Sequence, residues 1–376
     1  MTRPAPELCN PIVLGVQIDP ARPRAGLVDL LTQTGRNTGN LLFAEAVTEI
    51  AGAASRVPPR SFQAAQAEGH DCILLAAANW LGPGADFGAV SAELEATNLP
   101  ILVLGLGAQA GLDRQIPRLH PGMKRLVDLL AERSPMISVR GPFSAEVLAH
   151  YGVHNVMVTG CPSLLKRRGV EPGAFTEPGL PLDMADVVIH GTRHHYNAAD
   201  PFQGYLYREA LRLRCDVLLQ PETADMVFTA ERKGTVQPHI LEQAMTCLVD
   251  VYQASEDEVE TYLAEHGRCF FDIASWLDYY RGKRFVIGSR IHGTIAAVLA
   301  GTPALLIAHD ARTVELAETM GLPFVLKSEI DTQKPLDLEH LYAHTLAHDF
   351  SPGYQRYRAG FQAYFEAAGL KSALPV

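Results

Sequence analysis

Short apolar runs alternate with longer amphipathic stretches along most of the chain. In the first half the runs lie at residues 11–18, 71–80, 100–111, 136–139 and 155–165, and helical spacing of apolar residues is frequent between them. Short apolar runs joined by helices are typical of a parallel sheet, in which both faces of each strand are buried. The first half therefore predicts an α/β domain.

A second block of the same kind follows a segment without periodicity. Residues 166–185 are rich in Pro, Gly and charge and predict a linker, and six further strands are predicted at 186–191, 215–220, 268–272, 284–288, 303–307 and 324–327. The expected fold class is α/β, with two Rossmann-like doubly wound domains facing a cleft. We place the domains at 1–168 and 184–350, and we expect a C-terminal helix within 351–376 to pack back on the N-terminal domain.

Composition narrows the class of ligand. The 376 residues are 47% hydrophobic and 20% charged, which suffices for two domains that each bury a core. The net charge of −10 gives no long-range attraction for nucleic acid or anionic lipid. We therefore expect no nucleic-acid partner, and we expect any anionic ligand to bind a local cluster of cationic side chains.

The cysteines and the apolar segments indicate a cytoplasmic protein. The six cysteines are scattered without a C-x-x-C pair, which predicts reduced thiols. The apolar stretch near the start is too short for a signal peptide, and no uninterrupted apolar run reaches about 18 residues. We expect no integral membrane segment, and we leave open both peripheral attachment to the inner face of the membrane and a homo-oligomer.

The most informative segment is RFVIGSRIHGTIAAVLAGTPALLI at 284–307, which predicts a strand, a helix and a parallel strand. Ser289 is the expected N-cap of the helix, and the unpaired amides that follow it attract anions. Arg290 adds a fixed positive charge and His292 a titratable one, at a strand end where parallel sheets bind ligands. The alternative is a pair that only caps the helix and binds nearby carboxylates.

Three further cations, Arg140, Arg312 and Lys327, follow predicted strand ends in the same way. Together with Arg290 and His292 they suit a small, multiply charged anion. Carboxylates that are candidates for a general base, or for orienting a histidine, are Glu222, Asp272, Asp310 and Glu315.

Three other patterns are less specific. Cys161 has no histidine or other base near it in the sequence, which favours a packed thiol over a nucleophile. The glycines of 105–111 differ in spacing from a dinucleotide-binding fingerprint and predict a turn beside a cleft. His190, His194 and His195 lack a carboxylate or Cys at ligand spacing, so we expect no metal there, but contact with an anionic or sugar ligand or an exposed loop.

Several segments resemble the polysaccharide pyruvyl transferase family. They are SRIHGTIAAVLAGTPALLI (289–307), HDARTVELAETMGLP (309–323), ISVRGPFSAEVLAHYGV (137–153), TGCPSLL (159–165) and GRNTGN (35–40), and the resemblance covers roughly residues 13–323. It implies a GT-B-like fold and transfer of the enolpyruvyl group of phosphoenolpyruvate to sugar hydroxyls as a ketal, with release of phosphate. It also implies a glycan or lipid-linked sugar as acceptor and no cofactor or metal.

The resemblance assigns roles to several residues. Arg290 and His292 match the family's donor-site Arg and His, with His292 as the expected general acid, and Arg140 matches a donor-binding Arg. We expect Ser289, Gly293, Arg312 and Lys327 at the donor site as well. Expected acceptor contacts are Asn37, Asn40, His194, His195, Gln220 and Glu222.

One element departs from the family pattern. Many members carry N-x-G-D in the first loop, whereas this chain has Asn37, Thr38, Gly39 and Asn40, so an acidic group is missing. The departure leaves the acceptor contacts of this loop open. Two alternatives to pyruvyl transfer also stay open. One is a GT-B nucleotide-sugar glycosyltransferase, with the diphosphate on the helix after Ser289 and the ribose on Asp310 or Glu315. The other is a non-catalytic sugar- or anion-binding member of the fold.

Overall fold

Five parallel strands form the N-terminal sheet of the computed structural model, which describes residues 7–19, 21, 26–54, 56–110, 113–166, 181–192, 201–230 and 236–373. The strands are β1 (Pro11–Leu14), β2 (Cys72–Ala76), β3 (Ile101–Leu106), β4 (Ile137–Val139) and β5 (Val156–Val158), in the order β1-β2-β3-β4-β5. Burial of nearly every residue in β1 to β4 explains the continuous apolar runs.

A single-residue bridge completes the winding of this sheet. Val57 pairs with Leu14 on the edge of β1 away from β2, where the Val57 N–H donates to the Val13 carbonyl and the Gly15 N–H donates to the Val57 carbonyl, both at 2.9 Å. The chain thus passes to one side of β1 before it crosses to β2 on the other side. The sheet is doubly wound, and its switch point lies between β1 and β2.

Six parallel strands form the C-terminal sheet. They are β6 (Val187–His190), β7 (Asp216–Leu218), β8 (Gly267–Arg268), β9 (Phe285–Gly288), β10 (Ala304–Ala308) and β11 (Phe324–Leu326), in the order β11-β10-β9-β6-β7-β8. This is the strand order of the Rossmann fold, whose switch point lies between β6 and β9. Residues that follow His190 and Gly288 therefore meet at one place.

Helices cover both sheets. The first domain contains α1 (Leu27–Gln33), α2 (Gly39–Ile50), α3 (Gly88–Glu95), α4 (Pro121–Arg133) and α5 (Pro142–His150). The second contains α6 (Phe202–Leu213), α7 (Thr223–Met226), α8 (Pro238–Tyr252), α9 (Glu256–His266), α10 (Ile273–Arg281), α11 (Ile291–Ala300), α12 (Ala311–Met320) and α13 (Leu338–Leu346), and α14 (Ser351–Ala368) follows. None of the helices in the described ranges is both long and apolar enough to cross a lipid bilayer.

The last of these helices, α14, joins the core of the N-terminal domain. The Tyr364 hydroxyl donates to the Val103 carbonyl on β3 at 2.7 Å, and the Tyr357 hydroxyl donates to the Cys161 carbonyl at 2.6 Å. The apolar side chains of α14 share one buried cluster with α2, α10 and α11. The two domains are thus packed together on this side, and the predicted fold class of two Rossmann-like, doubly wound domains in a GT-B-like arrangement is confirmed.

Candidate functional site

A cleft of about 940 Å³ opens between the two sheets at the carboxyl ends of their strands. Residues that follow strand ends line both of its walls: Val16, Ala78, Asn79 and Arg140 from the N-terminal domain, and Thr192, Gln220, Ser289 and Arg312 from the C-terminal domain. The cleft therefore lies where both switch points expose the ends of strands, which is where α/β sheets bind ligands.

Arg140 is the most deeply buried cation of the cleft, with 1% of its surface exposed. Its Nε donates to the Gly105 carbonyl at 2.9 Å and its Nη1 to Asn79 Oδ1 at 2.8 Å, whereas the buried Nη2 has no partner in the described ranges. The guanidinium also lies 5.3 Å from the ring centre of Phe43. Burial lowers the pKa of Arg140, but an arginine starts so high that it stays charged at neutral pH. Within the described part of the chain it forms no ion pair, so its charge and one donor remain available to a ligand.

Arg290 is held in place by three partners. Its Nη2 donates to Oε1 of the fully buried Glu222 at 2.8 Å, its Nε donates to the Gly191 carbonyl at 2.9 Å, and its main-chain N–H donates to His190 Nδ1 at 3.1 Å. The second oxygen of Glu222 accepts the main-chain N–H of Gln220 at 2.8 Å. Arg290 is thus a pre-oriented cation whose carboxylate partner is itself fixed.

The predicted capping role of Ser289 is wrong. Helix α11 begins at Ile291 with Arg290 at the N-cap position, and no side chain caps it. The Ser289 hydroxyl instead donates to Gln203 Oε1 at 2.7 Å and lies 3.1 Å from the Thr192 hydroxyl. A serine one residue before the cap is too far back along the chain to reach the first amides of the helix, so its hydroxyl bonds to α6 and the end of β6.

His292 lies in the first turn of α11 and is buried, with 5% of its surface exposed. Burial, together with the charges of Arg140, Arg312 and Arg290, lowers its pKa well below the ordinary value. The imidazole is therefore neutral at pH 7. Its Nε2 lies 3.6 Å from the sulfur of Cys161, which leaves Nδ1 as the ring nitrogen that the thiol does not hold.

The thiol beside His292 corrects one expectation. Cys161 is buried as predicted, but the fold supplies the histidine that we did not find near it, from 131 residues further along the chain. Its sulfur also lies 3.2 Å from the Ser163 hydroxyl. Cys161 is thus a packed thiol in contact with the imidazole of the cleft.

The start of α2 packs against His292 from the opposite domain. A Cβ at Gly39 would lie 2.6 Å from Gln220 Oε1 and 2.8 Å from His292 Cβ, so only glycine fits there. The Thr38 N–H donates to the Gln220 carbonyl at 3.2 Å and links the two domains. Both side-chain polar atoms of Gln220 are buried without a partner among the residues that the structure describes, which makes this amide available to a ligand.

Arg312 joins Arg140 and Arg290 as a third guanidinium of the cleft that is not exposed. Its Nη2 donates to Asp310 Oδ2 at 3.2 Å, and its buried Nε has no partner in the described part of the chain. The other oxygen of Asp310 accepts the Thr313 N–H at 2.7 Å and caps α12. Asp310 is therefore already bound on both oxygens.

Glu315 caps a helix of the other domain. Its Oε2 accepts the Phe143 N–H at 2.9 Å and its Oε1 accepts the Ser144 hydroxyl at 3.0 Å, both in the first turn of α5. Burial raises the pKa of Glu315, while these hydrogen bonds act in the opposite direction. Like Asp272, which caps α10 through the Ser275 N–H at 2.7 Å, this carboxylate has a structural partner already.

The remaining candidates fall into three groups. Asn37 and Asn40 line the cleft. Gly293 is buried behind its wall against His190 and Gln220, and Lys327 follows the edge strand β11 and is not among the lining residues. His194 and His195 lie outside the described residues.

The structure also adds lining residues that we did not predict. Asn79 and Trp80 come just after β2, and Phe43 lies on α2 between Arg140 and His292. Asn79 and Trp80 were missed because the predicted run of 71–80 extends past Ala76, the last residue of β2, and so placed both residues inside the strand.

Comparison with known proteins gives one strong match. The family model described as polysaccharide pyruvyl transferase matches residues 24–311. No curated protein matches the chain at a significant level.

Similar solved structures include sugar-processing enzymes. A protein described as a UDP-N-acetylglucosamine 2-epimerase from Listeria monocytogenes is 15% identical, with a TM-score of 0.40, 93% of this chain covered and 82% of that one. A glycosyltransferase from Rickettsia africae is 12% identical, with a TM-score of 0.38 and coverage of 81% and 79%. These scores lie below 0.5, so we transfer no substrate from these enzymes. The match over residues 24–311 shows that this chain belongs to the polysaccharide pyruvyl transferase family, a family of transferases.

Proposed function

We propose that this protein transfers the enolpyruvyl group of phosphoenolpyruvate to sugar hydroxyls of a polysaccharide or its precursor, forming a pyruvate ketal and releasing phosphate. The observation that carries the proposal is Arg140, a buried guanidinium with an open donor and no ion pair within the described residues. Membership of the pyruvyl transferase family supports the class of reaction.

The charge of the cleft suits a small anion with two acidic groups. Arg290 is paired with Glu222 and Arg312 with Asp310, so among these three guanidinium groups Arg140 alone has no ion pair within the described residues. Phosphoenolpyruvate offers a phosphate and a carboxylate, and each of them can accept two hydrogen bonds from one guanidinium. Open donors on Arg140 and Arg312 would bind these oxygens.

His292 is the proposed general acid, acting through Nδ1. Burial and the three guanidinium groups lower its pKa, and a bound phosphate and carboxylate would offset their charges and raise it. A protonated His292 would then transfer its proton to the methylene carbon of the donor, whose π electrons form the new C–H bond and leave an oxocarbenium ion.

Two sugar hydroxyls complete the reaction. The first attacks the oxocarbenium carbon and loses its proton, which gives a tetrahedral phosphorylated intermediate. The C–O bond to phosphate then breaks with its electron pair on the leaving phosphate, and the second hydroxyl bonds to the same carbon and loses its proton. Arg140, Arg290 and Arg312 would stabilise the charge that develops on the phosphate.

The acceptor would approach from the N-terminal wall. Asn37 and Asn40 line that side. The amide of Gln220, which has no partner among the described residues, would suit a ligand that offers both a donor and an acceptor, as a sugar hydroxyl does. Glu222 is paired with Arg290, so we assign it to orienting that cation instead of binding the acceptor. The ribose of a nucleotide sugar lacks its expected partners, because Asp310 and Glu315 both cap helices.

A ligand panel tests the proposal. Thermal unfolding is followed with phosphoenolpyruvate, with inorganic phosphate, and with UDP-, GDP- and ADP-sugars, because a ligand that binds only the folded state raises the melting temperature. We expect a rise with phosphoenolpyruvate that exceeds the rise with phosphate at equal concentration. A rise only with a nucleotide sugar would instead support glycosyl transfer, and release of phosphate on addition of a sugar acceptor would distinguish an active enzyme from a binding protein.

A further inference from the structure

Trp80 is a rigidly held aromatic side chain in the wall of the cleft. The main-chain N–H of Trp80 donates to the Ala78 carbonyl at 2.9 Å, and the main-chain N–H of Leu81 donates to the Gly107 carbonyl at 3.1 Å. Leu81 itself is fully buried, whereas Trp80 is partly exposed and lines the cavity. The main chain is thus anchored on both sides of a residue whose indole is open to a ligand.

A second ring supports the indole. The centre of the Phe87 ring lies 4.4 Å from that of Trp80, at an interplanar angle of 35°. Phe87 also lines the cavity, and the pair forms an aromatic surface on the N-terminal wall. Rings held in this way lose little conformational freedom when a ligand binds, because their positions are already fixed.

The position of this surface relates it to the donor site. Asn79, the residue before Trp80, accepts a hydrogen bond from Arg140 Nη1 at 2.8 Å. Polar side chains, among them Gln17, Asp19 and Asn37, line the same cavity. A molecule on the indole would thus lie beside the proposed phosphoenolpyruvate site and within a cavity that offers hydrogen-bond partners.

We propose that Trp80, supported by Phe87, is the platform on which a pyranose ring of the acceptor stacks. A pyranose has a face of C–H groups and a rim of hydroxyls, so the indole would bury the apolar face while the rim binds the polar side chains. The inference rests on the proposed function, since it names the binding site of the acceptor. Stacking requires a ring, so an open-chain polyol with similar hydroxyl groups should not bind.

Intrinsic fluorescence can report ligand binding at Trp80, because the chain has two tryptophans and the other, Trp276, is fully buried. The full-length protein is titrated with the methyl α- and β-pyranosides of glucose, galactose and mannose, with mannitol as the open-chain control. We expect a saturable change with at least one pyranoside and none with mannitol. The change should persist in Trp276→Phe and be lost in Trp80→Phe.

Activity then tests the role in catalysis. With an acceptor that releases phosphate from phosphoenolpyruvate, Trp80→Ala should raise the acceptor KM about tenfold or more, and Trp80→Phe should restore most of the loss, since it keeps an aromatic face. The rise in melting temperature with phosphoenolpyruvate should stay the same in both variants, which shows that they fold and bind the donor.

Three results would overturn the platform: no pyranoside response up to 100 mM, an equal response to mannitol, or an unchanged acceptor KM in Trp80→Ala. The two proposals fail separately. A pyranoside response without phosphoenolpyruvate binding would support the platform and refute the pyruvyl transfer. Binding of phosphoenolpyruvate without a pyranoside response would refute the platform and leave the pyruvyl transfer supported.

Discussion

The sulfur of Cys161 lies 3.6 Å from Nε2 of His292, behind the wall of the cleft. The thiol belongs to the N-terminal domain and the imidazole to the C-terminal domain, so the contact exists only when the two domains are packed together. It occupies one ring nitrogen and so fixes the orientation of the imidazole. The contact gives the thiol a positioning role that can be tested.

Replacing Cys161 should alter catalysis through His292. In Cys161→Ala the buried Nε2 loses its partner, and we expect kcat to fall about fivefold to tenfold, as for the loss of one hydrogen bond. The pH at which kcat is half-maximal should shift at the same time. Cys161→Ser keeps a hydrogen-bonding group and should retain most of the activity. Cys215→Ala, which removes an equally buried thiol elsewhere, is the control, and an unchanged pH profile in Cys161→Ala would refute the positioning role.

Arg140→Lys should weaken donor binding while it keeps the charge. Lysine lacks the planar fork and cannot bond Gly105, Asn79 and a ligand at once, so we expect the Kd for phosphoenolpyruvate to rise about tenfold to a hundredfold. Calorimetric titration measures it. Arg133→Lys is the matched control, because Arg133 also donates to main-chain carbonyls but lies outside the cleft. Equal affinities in the two variants would exclude Arg140 from the donor site.

Binding of phosphoenolpyruvate should bring a proton to His292. Burial and the charges of the arginines lower the pKa of this histidine, and a bound anion raises it, so the complex takes up a proton between the two pKa values and affinity increases as the pH falls through that window. Calorimetry at pH 6.5 in buffers of different ionisation enthalpy counts the protons. The donor's own phosphate also titrates near pH 6. The protons bound by His292 are therefore the uptake measured for the wild type minus the uptake measured for His292→Gln. Equal uptake by the variant and the wild type would rule out His292 as the acceptor of the proton.

Removing the side chain of Glu315 should lower the free energy of unfolding, because this carboxylate joins the two domains. The carboxylate satisfies an N–H and a hydroxyl at the start of α5, so Glu315→Ala leaves both unpaired, and we expect the free energy of unfolding to fall by about 1–3 kcal/mol. Chemical denaturation measures this change. Glu318→Ala, one turn further along α12 and exposed, should change it by less than about 0.5 kcal/mol. Similar losses in both variants would mean that the contact between domains contributes nothing.

His190 should make the fold sensitive to acid. Burial, and then the charge of Arg290, lowers its pKa to about 3, whereas an unfolded histidine has a pKa near 6.5. The unfolded chain therefore binds the extra proton as the pH falls from about 6.5 towards 3, and stability is lost in that window. Between pH 7 and pH 5 the expected loss from this group is about 2 kcal/mol. His190→Asn keeps an acceptor for the Arg290 N–H without titrating, and its stability should fall by about that much less over the same range. An identical pH dependence in the two proteins would contradict the assignment.

The parts of the site that the sequence predicted are local. Arg290 and His292 stand between a short apolar run and an Ala-rich helix, and Arg140 follows another such run, so a strand end could be recognised without knowing the order of the strands. The same alternation predicted both sheets, since buried parallel strands are apolar throughout.

The features that the sequence did not predict depend on the order of the strands across a sheet or on contacts between segments that are far apart in the sequence. Lys327 also follows a strand, but β11 is the edge strand and β10 separates it from β9 at the switch point, a fact that alternation along the chain does not reveal. The contact of Cys161 with His292 joins segments 131 residues apart. The exact first residue of α11 was missed because Ser289 has the chemistry of a cap but the wrong position.

Helix α14 has a consequence for how the protein is made. Its aromatic side chains complete the core beneath β1 to β3, yet the ribosome synthesises this helix only after the whole second sheet. The part of this sheet face that α14 covers must therefore wait, with its apolar residues uncovered, until the second domain has been translated. Domains usually fold as they emerge, whereas here the first domain to be translated is the last whose core can close. That interval is when a nascent chain of this protein would depend most on a chaperone.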